Sequence, residues 1–434
     1  MTGLDTESEP APSSVSEGPV VRRDRARRAR GGAEPVVVRP EPAQRTRRER
    51  KTVVHPAHMW VWVVLTLAAT AGLVTLAWQG YGTSLDIRGG VDSNVTDPTK
   101  PGYEAQVQPT STHLLLATDE GRVGDAYLLV EGSGGKGGAV LFIPGLIVVT
   151  VDDTPYNLAE LAEAKGVPAV VDALQDALGM GVTDAAELTP DDVADLVGPA
   201  APLTIENPDA LVRDGETVFP AGTLELSADE VADYLFLVNV GESIVNRPVR
   251  AAAVWEAWME RLAADAALAP SDTSLAPLGA GEPVAVAAVI AGLAQGRVDY
   301  QQLPVDRLEV PDQGGFAVYR PDAEGIADTL ARLVPFPTSA YAGQRTRVRL
   351  LRGTADDQSA LRATQPIVAS GAEIRVLGNA GSVDVATTRV EFNSPAQRDA
   401  ANQIAEQLGV GAATAGTESD AVDVTVTIGA DFTG

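Results

Sequence analysis

The chain has 434 residues, a formal net charge of -26, no cysteine, 45% hydrophobic and 5% aromatic residues. That length and hydrophobic content allow two or three domains with real cores, and the missing cysteine excludes disulfides, thiolate catalysis and cysteine-ligated zinc. Residues 1–58 hold 12 Lys+Arg and 8 Asp+Glu, a net of +4, which leaves -30 for the remainder; so acidic a body argues against nucleic acid as a partner.

The first 58 residues are rich in Pro, Glu, Ser and Arg. With little to bury, they are expected to form a disordered basic tail. Residues 59–78 read MWVWVVLTLAATAGLVTLAW, 20 positions without a charge. At about 1.5 Å per residue such a helix spans roughly 30 Å, the thickness of a hydrocarbon core. Trp60 and Trp62 stand at one end and Trp78 and Tyr81 at the other, as in the aromatic belts of membrane interfaces. Arg45, Arg47, Arg48, Arg50 and Lys51 precede the span, while only Arg88 and Lys100 follow it closely. The positive-inside rule then puts the N-terminus in the cytoplasm and the rest outside the cell. The apolar run is long, and the Gln-Gly-Tyr-Gly-Thr-Ser after it is a poor cleavage site. The expectation is an uncleaved signal anchor in the cell membrane.

Residues 79–110 read as a linker, and an α/β pattern begins at His113. Short apolar runs at 113–118, 126–131 and 139–151 have strand character. Helical patterns follow at 157–179 and 190–198. Ser227 with Glu230 forms an S-x-x-E capping box for a helix to about Leu235. Asn246 is placed to cap another helix, to about Ala264, with Val254, Trp258 and Leu262 on its buried stripe. A bridging region alternates helix (281–294), strands (298–310) and helix (322–334), so that one domain covers 111–340.

A second, smaller domain covers 345–434. Strands are expected at 347–351, 373–377 and 387–392, and helices at 355–369 and from Ser394-Pro395 to about Leu408. Val422, Val424, Val426 and Ile428 alternate with polar residues, the mark of a half-buried strand.

Several motifs fail. Gly132-Ser-Gly134-Gly-Lys-Gly137 has the spacing G-x-G-x-x-G, but a dinucleotide site needs a helix after the glycines. Here strand patterns lie on both sides, which predicts a flexible hairpin loop. Walker, H-E-x-x-H and G-x-S-x-G motifs are absent. The histidines are His55, His58 and His113, two beside the membrane span and one opening a strand, so no histidine triad or histidine-rich metal site is expected.

What remains is an ordered set of short motifs. Leu114-Leu-Leu-Ala-Thr-Asp119-Glu-Gly-Arg122-Val-Gly-Asp125 is followed by Phe142-Ile143-Pro144, by Phe219-Pro220-Ala221-Gly222, by Tyr234 and by Arg247-Pro-Val-Arg250. The set resembles the LytR-CpsA-Psr family over about 113–264. Val348-Arg-Leu-Leu-Arg352-Gly353-Thr354, Gly378-Asn379-Ala380, Ala386-Thr-Thr-Arg-Val390 and Gly429-Ala-Asp-Phe432 are similar in order to the LytR C-terminal domain. The resemblance implies a three-layer α/β domain with a mixed sheet behind the membrane helix, then a smaller α/β domain. It implies an extracytoplasmic cell-envelope protein.

Members of that family move a glycopolymer from a polyprenyl-pyrophosphate carrier onto peptidoglycan. Carried over by position, Asp119 and Asp125 would hold Mg²⁺, and Arg247 and Arg250 would hold phosphate oxygens; Arg122, between the two carboxylates, is a further candidate for binding phosphate. The chain departs from the family where the chemistry is densest. The family's Arg-Asp after Ile-Pro is Gly145-Leu146 here, and the two arginines after its tyrosine are Phe236 and Val238. A hydrogen bond to a charged group contributes about 1.5–3 kcal/mol. Three lost arginine contacts then amount to about 5–9 kcal/mol if additive, roughly 10³–10⁶ in rate. The expected reading is a degenerate member that binds a wall glycopolymer, a lipid-linked precursor or a partner without catalysis. The alternative is an active Mg²⁺-dependent phosphotransferase with relocated basic residues such as Arg122 or Arg213.

Overall fold

The computed structural model describes residues 91, 93–239, 242, 244, 246–271, 273–279, 282–308 and 318–434. The basic tail and the span at 59–78 lie outside the described residues.

Strand β1 (Glu104–Gln106) comes first among the described residues but belongs to the second domain. The first domain is built on β2 (Thr112–Asp119), β3 (Arg122–Glu131) and β4 (Gly138–Ile143), successive antiparallel neighbours. After the small hairpin of β5 (Val149–Val151) and β6 (Thr154–Tyr156) come helices α1 (Leu158–Lys165) and α2 (Val167–Leu178). Strand β7 (Asp184–Leu188) then joins β2 in parallel. Helix α3 (Pro190–Val197) leads to β8 (Leu203–Asn207), β9 (Leu211–Arg213), β10 (Glu216–Phe219) and β11 (Gly222–Leu226), which form two further antiparallel pairs, β8 with β11 and β9 with β10. Helices α4 (Ala228–Phe236), α5 (Asn246–Ala264) and α6 (Val286–Leu293) follow. Strand β12 (Val298–Gln302) closes the sheet parallel to β4, in the order β12-β4-β3-β2-β7. The hairpin β13 (Val305–Leu308) and β14 (Val318–Pro321) and helix α7 (Ala323–Leu333) complete the domain.

The central strands read as unbroken apolar runs because both faces are covered. Leu115, Tyr127, Leu129 and Phe142 join one core with Val193, Tyr234, Trp255, Trp258 and Ile290. Leu114, Leu116, Leu128 and Ile143 join the other with Leu161, Leu174 and Leu330. Helices α3 to α6 thus pack on one face of a mixed sheet and α1, α2 and α7 on the other. The capping box of Ser227 with Glu230 forms as its sequence predicts.

Local corrections have local causes. The apolar stretch 139–151 is two strands, because Pro144 supplies no N–H for the ladder and the chain turns at Pro144-Gly145. The pattern 157–179 is two helices, broken at Gly166 with φ 88°. The glycine loop after Gly132 is a packed hairpin connection. Gly137 donates to the Gly292 carbonyl at 3.0 Å and Gly138 to that of Arg297 at 2.9 Å, and a Cβ on Gly137 would stand 2.5 Å from the Arg297 oxygen. The glycines serve close backbone approach here.

The second domain contains β15 (Thr346–Arg352), α8 (Ser359–Ala369), β16 (Ala372–Asn379), β17 (Arg389–Phe392), α9 (Arg398–Gln407), β18 (Thr414–Ala415) and β19 (Val424–Ile428), with sheet order β1-β16-β15-β19-β17-β18. Val348, Leu350, Val424, Val426 and Ile428 fill its core with Ile367 and Ile404. Strand β1, from the stretch read as a linker, pairs antiparallel with β16 in the register Glu104 to Gly378. The Asn379 amide donates to the carbonyls of Pro98 and Lys100, both at 2.8 Å, which fixes the segment before β1. Arg345 ties the domains by donating to the carbonyl of Gly179 at 2.8 Å and to those of Val368 and Ala372. Burial lowers its pKa to about 10.

Candidate functional site

One end of the first domain's sheet carries a cleft of about 500 Å³. It forms where β2 turns into β3 and where β4 ends. Glu120 and Gly121 make that turn with φ 49° and 79°, the left-handed pair that suits a two-residue hairpin, and set Asp119 opposite Arg122. Both are exposed on the cleft.

Asp125 lies deeper, 7% exposed. One carboxylate oxygen accepts the Gly145 N–H at 2.9 Å. The other meets Arg247 Nε at 2.7 Å. Arg247 rises from the first turn of α5, and its Nη2 donates weakly to the Leu235 carbonyl at 3.4 Å. The pair therefore links β3, the end of β4 and the start of α5. Behind it, burial pushes the Tyr127 phenol well above its ordinary range, and the Asp125 charge adds to the effect.

Gly145 admits no side chain in this backbone. A Cβ there would stand 1.3 Å from the Gly124 carbonyl oxygen. The position where the family carries arginine is thus closed by backbone packing. Phe236 and Val238, at the other two family arginine positions, line the cleft with Leu146 and Ile244. Val238 is 68% and Leu146 58% exposed, so the cleft has an apolar rim around a polar floor.

Arg250 does not join this group. It is 2% exposed and serves the end of α4. Its guanidinium meets Glu242 with Nε at 2.9 Å and Nη2 at 3.0 Å. It also donates to the carbonyl of Tyr234 and, at 2.7 Å, to that of Leu237. The Tyr234 ring lies under it at 5.1 Å. Burial raises the Tyr234 phenol to about 12, and its hydroxyl donates to Asn207 Oδ1 at 2.9 Å. Arg213 is also elsewhere, on β9, in a two-point pair with Asp233 at 2.9 and 3.2 Å.

The cleft thus gathers Asp119, Arg122, Asp125 and Arg247 of the residues expected from the sequence, and leaves Arg250 outside. Sequence reasoning missed Glu242, which lines the cleft and holds Arg250; nothing in its local sequence marks it. It also missed Gly124, whose missing side chain leaves room for Arg247 Nη2, 3.3 Å from where its Cβ would be.

Magnesium favours several oxygen ligands in near-octahedral geometry. As arranged, these residues do not supply them, because Asp125 is occupied by Arg247 and the Gly145 N–H. Among the described residues no three His, Asp or Glu side chains gather where an ion would be held.

Residues 345–432 match the family model described as LytR cell envelope-related transcriptional attenuator. No curated protein matches the chain. Among solved structures the chain is similar to TagT bound to LI-WTA, at 18% identity over 52% of this chain and 90% of that chain, TM-score 0.40. It is similar to TagV of B. subtilis, at 14% identity over 52% and 96%, TM-score 0.41. It is also similar to the LytR-CPS2A-psr family protein YwtF (TagT) with bound octaprenyl pyrophosphate lipid, at 16% identity over 52% and 89%, TM-score 0.39. The recognition made from the motifs stands for residues 345–432, which match the LytR C-terminal family model.

Proposed function

We propose that this is a membrane-anchored, extracytoplasmic cell-envelope protein whose cleft binds a lipid-linked anionic glycan precursor without turning it over. The observation that carries the reading is the closed position at Gly145 beside an Asp125 already neutralised by Arg247. Phosphoryl transfer depends on cations that meet charge as it develops on the phosphate. Here one family arginine position has no room, two others are apolar, and the buried carboxylate is held by an internal partner. What the cleft keeps is the exposed Arg122 beside an apolar rim of Leu146, Phe236 and Val238. That combination suits an amphiphile with an anionic head and a hydrocarbon chain. The closing LytR C-terminal domain supports the cell-envelope assignment.

A second reading, a Mg²⁺-dependent phosphotransferase, is favoured by one observation. Asp119, Asp125, Arg122 and Arg247 do converge on one cleft. It requires Asp125 to exchange Arg247 for a metal during turnover.

The test uses the purified full chain with a polyprenyl pyrophosphate analogue, with and without Mg²⁺, beside Asp125→Ala. The first reading expects the analogue to raise the melting temperature with no phosphate released. Mg²⁺-dependent release that Asp125→Ala abolishes would replace it with the second.

A further inference from the structure

The opposite end of the same sheet carries another cavity, of about 700 Å³. Strand β3 has 10 residues, so the two openings are separated by roughly 30 Å at about 3.3 Å per residue. Lys136, Arg297 and Arg332 all line this second cavity. Lys136 stands at the end of the glycine loop. The backbone of its neighbour Gly137 is packed against that of Arg297, so both residues are mounted on the same side of the cavity they line. Arg332 enters from the last turn of α7. Among the described residues its one side-chain hydrogen bond, to Thr329 Oγ1, is long at 3.5 Å.

None of these three has an ion-pair partner among the described residues, although the chain's net charge is -26 and elsewhere carboxylates engage Arg247, Arg250, Arg347 and Arg375. Two carboxylates line the cavity, Glu131 and Asp299, and both have other partners. Glu131 faces His113 Nε2 at 3.4 Å, and Asp299 accepts the Gln301 amide at 2.8 Å. The cations are left with free donors around one space, and the backbone packing at Gly137 fixes where Lys136 and Arg297 are mounted.

We propose that this cavity is a second binding site, for a phosphate-bearing anion larger than orthophosphate. Two guanidinium forks suit phosphate oxygens better than they suit a single point charge, and the volume admits several phosphate groups. Such chemistry is offered by a phosphodiester polymer or by the head groups of anionic phospholipid. The site uses none of the cleft residues, so it does not depend on the reading given for the cleft.

The experiment is calorimetric titration of the full chain in nonionic detergent micelles with sodium tripolyphosphate, with orthophosphate as the small comparison. Saturable tripolyphosphate binding is expected, weaker for orthophosphate. Affinity should drop about tenfold for each of Lys136→Ala, Arg297→Ala and Arg332→Ala, and be kept by Arg307→Ala, an exposed arginine outside the cavity. The three substituted side chains are exposed, so unchanged melting temperatures are expected to accompany the loss. Micelles doped with phosphatidylglycerol separate the two sources. Competition that vanishes in the triple variant assigns the site to head groups, and no competition assigns it to a soluble polymer. Absence of saturable binding, or equal binding by the triple variant, would overturn the proposal.

Discussion

Asp125 and Arg247 meet at 2.7 Å with side-chain exposures of 10% and 15%, and together they join β3 to the start of α5 at the floor of the cleft. A pair this deep costs much to desolvate, and removing one member leaves the other charge buried alone. Arg247→Met is therefore expected to lower unfolding free energy by about 3–5 kcal/mol. The double variant Asp125→Leu with Arg247→Met should recover most of that loss. Urea unfolding of the four proteins measures it; a double variant that loses the sum of the two singles would refute the coupling.

Gly145 stands where backbone packing leaves no room for a side chain. Replacing it with alanine drives a Cβ toward the Gly124 carbonyl, 1.3 Å away in the present backbone. The strands have to part, and a loss of about 1–3 kcal/mol or more is expected. Gly145→Arg should lose at least as much and should not gain phosphotransfer activity. A melting temperature for Gly145→Ala equal to that of the native chain would show that the loop yields easily and that the arginine position is open.

Much of this was legible in the sequence, and the limits have physical reasons. The strands of the sheet announced themselves because burial on both faces leaves no polar position to interrupt the run, as in 114–117. The capping box at Ser227 was legible because it is a local bond. Asp119, Arg122, Asp125 and Arg247 were found through motif order, and the fold brings them together. Arg250 shares a helix turn with Arg247 but faces Glu242 and the end of α4, and sequence spacing carries no information about which carboxylate each of two arginines meets. Strand β1 was hidden because its three residues, Glu-Ala-Gln, carry no strand pattern of their own. Its place is set by the edge of β16, which lies about 270 residues further along.

His113 sits between two carboxylates at the start of β2. Its Nδ1 is 2.8 Å from Asp184 and its Nε2 3.4 Å from Glu131, so it bridges β7, β2 and β3. Burial, the largest single influence, lowers its pKa, but the hydrogen bond and charge of Asp184 with the charge of Glu131 outweigh it, and the net shift is upward from 6.5. A raised folded-state pKa means that the imidazolium stabilises the fold fully below about pH 6.5 and loses that contribution as pH rises through the folded value. The stability difference between the native chain and His113→Gln should shrink from pH 5.5 to pH 8.5. Chemical denaturation at the two values measures it, and a difference that grows with pH would contradict the charged bridge.

Gly378 admits β1 to the second domain. A Cβ on Gly378 would lie 2.3 Å from the Tyr103 carbonyl, so any larger residue pushes the incoming strand off the edge of β16. Gly378→Val is expected to detach residues 98–106 while the inner strands β15 and β19 remain paired. The detached segment becomes a protease substrate, because backbone that has lost its ladder bonds is cut readily. The bared edge of β16 becomes a template for pairing with another copy. Limited proteolysis followed by mass analysis should show cleavage within 98–106 in the variant, at least tenfold faster than in the native chain if the strand contributes about 1.4 kcal/mol or more. Light scattering should show concentration-dependent association. Equal cleavage rates in the two proteins would mean that β1 is held by the Asn379 amide and the contacts around Pro98 and Lys100, and that the glycine is incidental.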